Sequence, residues 1–231
     1  MAHPGRHRIL VSWSGGKDAA WALHALRAAG DADAVGLVTA VVPEFGRTAM
    51  HGVRTELVRA QARAARLPLL EVPLAWPCPN DRYEAAFLAG LAAARRDWSI
   101  TQVAFGDLFL EDIRAYRERL LVETGLEPVF PLWGVPTGSL LGEMLAGGLR
   151  ARIVCLDPAR LDRRLAGREL DHALAAELPP AVDPCGERGE FHTFVTEGPM
   201  LSGRVAVEPG EVVERDGFVY ADLLPAVVEH V

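Results

Sequence analysis

From residue 8 to about residue 128, short apolar runs alternate with longer stretches of helical period, and that rhythm leaves few folds open. Residues 8–13 read as an apolar strand. From Ala19, apolar residues at 19, 22, 23 and 26 share one helical face, which Gly30 ends. Residues 33–42 form a second strand broken by Pro43, and residues 53–66 a helix with an arginine-rich outer face, ended by Pro68. A third strand at 69–74, a helix at 81–96, a brief strand at 102–105 and a helix at 110–124 complete the series. That last helix turns Ile113, Tyr116 and Leu120 inward and Glu111, Arg114 and Glu118 outward. Strands separated by helices predict a parallel sheet with right-handed crossovers. Ligands in such sheets bind beyond the C-terminal strand ends, so the loop after strand one and Gly106-Asp107 after strand four should share one site.

The rhythm changes after Pro128. Residues 129–133 are extended and proline-punctuated, a helix follows at 137–146, and 152–156 is a strand. The tail alternates at 191–195, 205–207 and 212–220, with a turn at Asp216-Gly217, which reads as antiparallel pairing. The expected organisation is a nucleotide domain over 1–128 and a smaller α+β domain over 129–231. Half the chain is apolar and a quarter charged, which fits a globular protein. The net charge of −7 argues against nucleic acid as a partner. The arginine clusters at 54, 59, 63 and 66 and at 160, 163, 164 and 168 read as solvated faces. Cys78, Cys155 and Cys185 are odd in number and lack a CxxC pair, so neither a zinc ribbon nor a disulfide framework is indicated. With no long apolar leader and no run near ~18 apolar residues, the expectation is a cytoplasmic protein that does not engage a membrane.

The sharpest local signal is Ser14-Gly15-Gly16-Lys17-Asp18, set between the first strand and the first helix. Two glycines let the backbone turn tightly and approach a ligand, and a helix N-terminus aims unpaired N–H groups at the same place. Lys17 adds a full charge, and Ser12 and Ser14 add hydroxyls. The GxxxxGK[ST] pattern is absent, and the segment is similar instead to the PP-loop of ATP pyrophosphatases. Asp18 and Asp107 are candidates for Mg²⁺, which binds ATP through its phosphates and often one or two carboxylates; Asp18 could equally cap the first helix. His51 ends the long loop after strand two, on the other side of such a pocket.

A second constellation runs Gly186-Glu187-Arg188-Gly189-Glu190-Phe191-His192-Thr193. Two carboxylates, an imidazole and a hydroxyl around two glycines suit either a substrate-binding loop or a solvated turn into a hairpin. Cys185 beside it is a nucleophile paired with His192 or a structural thiol.

SWSGGKD at 12–18, MHGVR at 50–54, FGDLFLEDIRAYRE at 105–118, FPLWG at 130–134 and DPCGERGEFHTFVTEGP at 183–199 together resemble the diphthine–ammonia ligase family. That family is a PP-loop group within the adenine nucleotide alpha hydrolase-like superfamily. The resemblance implies a HUP-type Rossmann-like α/β domain followed by a family-specific α+β C-terminal domain. It implies adenylation of a carboxylate by ATP with release of pyrophosphate, then displacement of AMP by ammonia. On that basis Ser14, Gly15, Gly16, Lys17 and Asp18 would hold phosphates and magnesium, with Ser12 and His51 beside the nucleotide. Gly106 and Asp107 would line the activated centre. Glu187, Gly189, Glu190, His192 and Thr193 would face the acceptor carboxylate or ammonia, with Glu190 or His192 as general base. One departure is Ala19, where the family motif continues with serine.

The alanine- and arginine-rich composition suits a bacterial chain, and bacteria are not expected to make diphthamide. The acceptor therefore stays open between a small molecule and a modified protein side chain. Two other readings stand beside the ligase: a PP-loop RNA-modifying enzyme, and a nucleotide-binding sensor without turnover, which Ala19 would support. The apolar Leu223-Leu224 and Val227-Val228 could pack on the domain or on a second copy in a homodimer.

Overall fold

The apolar run that precedes the glycine turn becomes the central strand of a twisted parallel sheet. The computed structural model describes residues 6–49 and 51–226. Its first half contains β1 (His7–Ser12), α1 (Lys17–Ala29), β2 (Ala32–Val42), a short β3 (Arg47–Thr48) and α2 (Thr55–Ala65). It continues through β4 (Leu69–Pro73), α3 (Asn80–Trp98), β5 (Gln102–Ala104), α4 (Glu111–Leu121) and β6 (Glu127–Val129). The parallel strands lie in the order β4-β2-β1-β5-β6, and β3 adds a two-residue antiparallel ladder to β2. This is the expected Rossmann-like arrangement. The chain works outward from β1 to β4 and then crosses to β5, so the direction of winding reverses between β1 and β5. A crevice opens at such a switch point.

Successive residues of β1 face opposite sides of the sheet. Leu10 joins Val38, Val72, Phe87, Leu91, Val103 and Phe105 in one buried cluster. Ile9 and Val11 join a larger one that also holds Trp13, Leu23, Leu57, Ile153, Phe191, Phe194 and Val195. The second cluster runs without a break into the C-terminal half of the molecule.

That half consists of α5 (Thr137–Ala146), β7 (Arg150–Leu156), α6 (His172–Glu177), β8 (Phe191–Glu197), β9 (Val207–Arg215) and β10 (Phe218–Pro225). Its strands form an antiparallel sheet in the order β8-β7-β10-β9. The β9–β10 turn falls at Asp216-Gly217, whose φ values of 54° and 82° are both left-handed, the requirement of a tight two-residue hairpin. Strand β9 runs continuously through 207–215, where the sequence suggested two short pieces, with a register shift opposite Ala221 and Leu223. Strand β6 passes through residue 128, so the parallel sheet ends just beyond the expected junction.

The arginine clusters are largely committed to ion pairs: Arg54 with Asp222, Arg59 with Glu71, Arg160 with Asp157, and Arg168 with Glu177. Leu223 is buried in the molecule, whereas Val227 and Val228, like Met50 of the MHGVR motif, lie outside the described residues. No helix among the described residues is long and apolar enough to cross a membrane.

Candidate active site

A cavity of about 510 Å³ opens at the switch point, within the usual range for small-molecule sites. Its walls are the β1–α1 loop, the β5–α4 loop and the segment leading into β8. Ser12, Ser14, Gly16, Lys17, Asp18, His51, Gly106, Asp107, Glu187, Gly189, His192 and Thr193 all line it. Of the residues singled out from sequence, Gly15 and Glu190 do not.

Helix α1 begins at Lys17 with Gly16 as its N-cap, a residue with no side chain to cap the first turn. Asp18 therefore sits in the first turn and is not the cap that the sequence allowed. Lys17 is only 2% exposed, an uncommon state for a lysine. Its Nζ donates to Asp18 Oδ2 at 2.8 Å and to the backbone carbonyl of Cys185, and it stands 5.3 Å from the centre of the Phe191 ring. Its backbone N–H donates to Thr193 Oγ1 at 3.1 Å. Burial would draw the Lys17 pKa down, but Asp18 and other nearby acidic groups overcome it, leaving the ammonium held above its ordinary value. The expected phosphate lysine is thus also a tie to the C-terminal half.

Gly106 lines the site for a steric reason. A Cβ there would meet the Asp18 carbonyl carbon and the Ala19 nitrogen at 2.8 Å, so the β5–α4 loop can approach α1 this closely only without a side chain. Asp107 then faces the cavity, where burial raises its pKa against the pull of Arg117. Arg117 Nε lies 3.6 Å from Asp107 Oδ2, an ion pair without hydrogen-bond geometry, and its guanidinium covers the Phe105 ring. Asp18 Oδ1 and Asp107 Oδ2 are buried and have no hydrogen-bond partner in the protein. Asp18 is likewise raised by burial, with Lys17 pulling the other way.

The C-terminal wall separates its two glutamates, both of which were expected to face the acceptor. Glu190 is 0% exposed and turned beneath the loop. Its Oε1 accepts the Asp183 N–H at 3.1 Å, its Oε2 accepts the Arg188 N–H at 2.9 Å, and Arg160 stands 3.5 Å away. Asp183 works beside it, accepting the N–H groups of Cys185 and Glu187 and the Thr137 hydroxyl. Glu187 instead faces the cavity, with Oε1 accepting the Leu108 N–H at 2.8 Å. Burial, with Asp18 and Asp107 adding to it and the Leu108 N–H opposing, pushes its pKa up to about 7.

His51 and His192 stack with ring centres 4.2 Å apart. Burial pulls their pKa values down to about 3 and about 4, so both are neutral at pH 7. The Cys185 thiol is pushed up to about 12, chiefly by burial, and donates to the Thr137 carbonyl. An inert buried thiol is the reading this environment supports.

Sequence reasoning missed Arg117, Arg188 and Phe218, which also line the cavity. Arg117 was findable: Leu110, Ile113 and Arg117 are spaced three and four apart, which puts them on one helix face. Arg188, within the constellation at 186–193 but without a role there, lies in a turn, and Phe218 follows one, so neither gave such a signal.

Comparison with known proteins agrees with this architecture. Residues 7–128 match the family model described as diphthamide synthase N-terminal domain, and residues 137–222 match its C-terminal domain. A protein of Schizosaccharomyces pombe named diphthine–ammonia ligase is 31% identical over 102 residues, which are 42% of this chain and 17% of that protein. Proteins of the same name from Bos taurus and Homo sapiens are 25% and 24% identical, across 64% and 62% of this chain and 57% and 55% of theirs. The chain thus aligns with little more than half the length of these animal relatives, and with far less of the yeast protein.

Proposed function

Because the chain belongs to the diphthamide synthase family, we propose that it is an ATP-dependent ligase that adenylates a carboxylate and passes the acyl group to ammonia. The observation that carries this reading is one cavity that joins the SGGKD loop to a carboxyl group with a pKa near 7. Residues 1–128 would bind the nucleotide, and residues 129–231 would complete the wall that meets the acceptor.

In the first step an acceptor carboxylate oxygen attacks the α-phosphorus of ATP, the bond to the β-phosphate oxygen breaks, and pyrophosphate leaves. Lys17, Arg117 and the open N-terminus of α1 offset the charge that builds on the departing group. Magnesium suits the two orphaned carboxylate oxygens of Asp18 and Asp107, because it is commonly held by one or two carboxylates with the substrate's phosphates. Bound there, it would supply further neutralisation of phosphate charge.

In the second step the ammonia lone pair adds to the acyl carbonyl, a proton leaves the nitrogen, and the C–O bond to AMP breaks. Ammonia is mostly ammonium at neutral pH, and a base with a pKa near the working pH is best placed to deprotonate it. Glu187 meets that condition and faces the cavity. Glu190, expected along with His192 as a candidate for this role, has both oxygens committed to backbone N–H groups. Neutral His192, stacked on His51, contributes a polar surface beside Lys17.

The acceptor class is a carboxylate on a small molecule or on a modified protein side chain, the latter in keeping with the name of the relatives. The test is exchange of labelled pyrophosphate into ATP, with Mg²⁺ and fractionated cell extract. Exchange that depends on one fraction is expected and identifies the acceptor. ATP binding with no exchange in any fraction would move the assignment to a nucleotide sensor.

A further inference from the structure

Gln61 belongs to none of the motifs above, yet it lies directly behind the phosphate loop. It sits on the inner face of α2, is 0% exposed, and has all of its amide hydrogen-bonding groups engaged. Its Oε1 accepts the Trp13 indole N–H at 2.9 Å, while its Nε2 donates to the carbonyls of Gly15 at 3.0 Å and Val195 at 2.6 Å. The amide orientation is forced, because indole can only donate and carbonyls can only accept. The Val195 N–H donates to the same Gly15 carbonyl at 2.9 Å. That oxygen is therefore fastened from behind twice, by α2 and by β8.

A trans peptide points its C=O and the following N–H in opposite directions. With the Gly15 oxygen fixed toward Gln61 and β8, the Gly16 N–H faces the cavity side, where it meets Ser14 Oγ at 3.2 Å. The reverse orientation is open to a glycine pair and would set a carbonyl oxygen where anionic charge is to be bound. Gly15 itself has φ +82°, and a Cβ there would meet Gln61 Oε1 at 2.9 Å, so the glycine and the glutamine require each other.

We propose that Gln61 is a positioning residue whose amide, together with β8, locks the Gly15–Gly16 peptide with its N–H presented to the polyphosphate of the nucleotide. This rests on the reading of the loop as an ATP site. A residue that merely filled the core would affect stability without distinguishing the phosphates from the nucleoside.

The test compares the full-length Gln61→Met and Trp13→Phe variants by calorimetric titration with ATP and with adenosine, alongside thermal melts. Both substitutions break the Trp13–Gln61 bond and should lower the melting temperature. Only Gln61→Met should reduce ATP affinity, by about tenfold or more, with adenosine affinity unchanged. ATP binding as tight as wild type in folded Gln61→Met overturns the proposal, as does an equal loss in Trp13→Phe. Should Gln61→Met not fold, the Gly16 amide resonance of the wild-type protein decides. It should move strongly on titration with inorganic pyrophosphate, and a Gly16 resonance unmoved at saturation overturns the proposal. Wild-type protein that fails to bind ATP at all removes the nucleotide reading as well, so the two failures are distinguishable.

Discussion

The cavity has two glycine-rich walls that are built in opposite ways. Residues 14–18 turn most of their length to the site, with the Lys17 N–H and the Gly15 carbonyl tied to β8. Residues 183–193 spend most of their polar groups on themselves. Asp183 and Glu190 bind loop N–H groups from below, which leaves Glu187 as the carboxylate that faces the cavity. Two residues separate Glu187 from Glu190, and the composition around each is similar. Their difference lies in which one meets backbone N–H groups on the buried side. A carboxylate with both oxygens so occupied is a structural acceptor. One that spends a single oxygen keeps the other for chemistry.

The largest expected effect tests the first wall. Lys17→Ala should lower AMP release by about two to three orders of magnitude. It should also lower the melting temperature, since Asp18 and the Cys185 carbonyl both lose their partner. Unchanged AMP release on chromatographic assay would remove the loop from the mechanism.

The glutamate pair tests the second wall. Glu187→Gln should fold normally, lose about two orders of magnitude or more in product formation, and flatten a rise in rate centred near pH 7. Glu190→Gln should keep that rise while losing about 1–3 kcal/mol of stability, because an amide N–H₂ cannot accept from a backbone N–H. The opposite pattern in the two pH profiles would return the expected base to Glu190.

A smaller effect lies at the seam that joins the halves away from the cavity. Asp222 on β10 accepts from Arg47 and Arg54 at 2.7–3.2 Å. Burial alone would raise its pKa, but these bonds prevail and hold it down at about 2. A depressed carboxylate stabilises the fold above its unfolded pKa, near 4, and loses that contribution as pH falls through about 2. Asp222→Asn should therefore cost about 1–2 kcal/mol at pH 7, after allowance for screening. The gap in urea melts should narrow below pH 4, and a gap that does not change with pH would refute the ion-pair account. The smallest effect is expected for Ala19→Ser, which restores the family's hydroxyl at the cavity edge. Activity should stay equal or rise by a few-fold, and a clear fall would mean the site has adapted around alanine.

The parallel sheet and the glycine loop that opens α1 were legible because their signals are local. Apolar alternation and a glycine turn before a helix depend on nothing far away in the chain. The antiparallel tail was legible in kind, from its alternation and the Asp216-Gly217 turn. What the sequence concealed depends on long-range contact. The Gly15 carbonyl turns away from the cavity because of Val195 and Gln61. Glu190 is claimed by N–H groups that only the folded loop gathers. Arg117 was hidden differently, because a charged residue on an inward helix face is read as an exception to the pattern until its partner Asp107 is seen.

The bond from Lys17 to the Cys185 carbonyl and that from Val195 to Gly15 join residues more than 160 positions apart. This has a consequence for the order of events during biosynthesis. A chain emerging from the ribosome makes its glycine loop more than 160 positions before the residues that shape it. Translation must reach Val195 before the loop acquires its final form. On the proposed nucleotide reading, capture of nucleotide waits for β8, and chains stalled before it would be poor consumers of ATP.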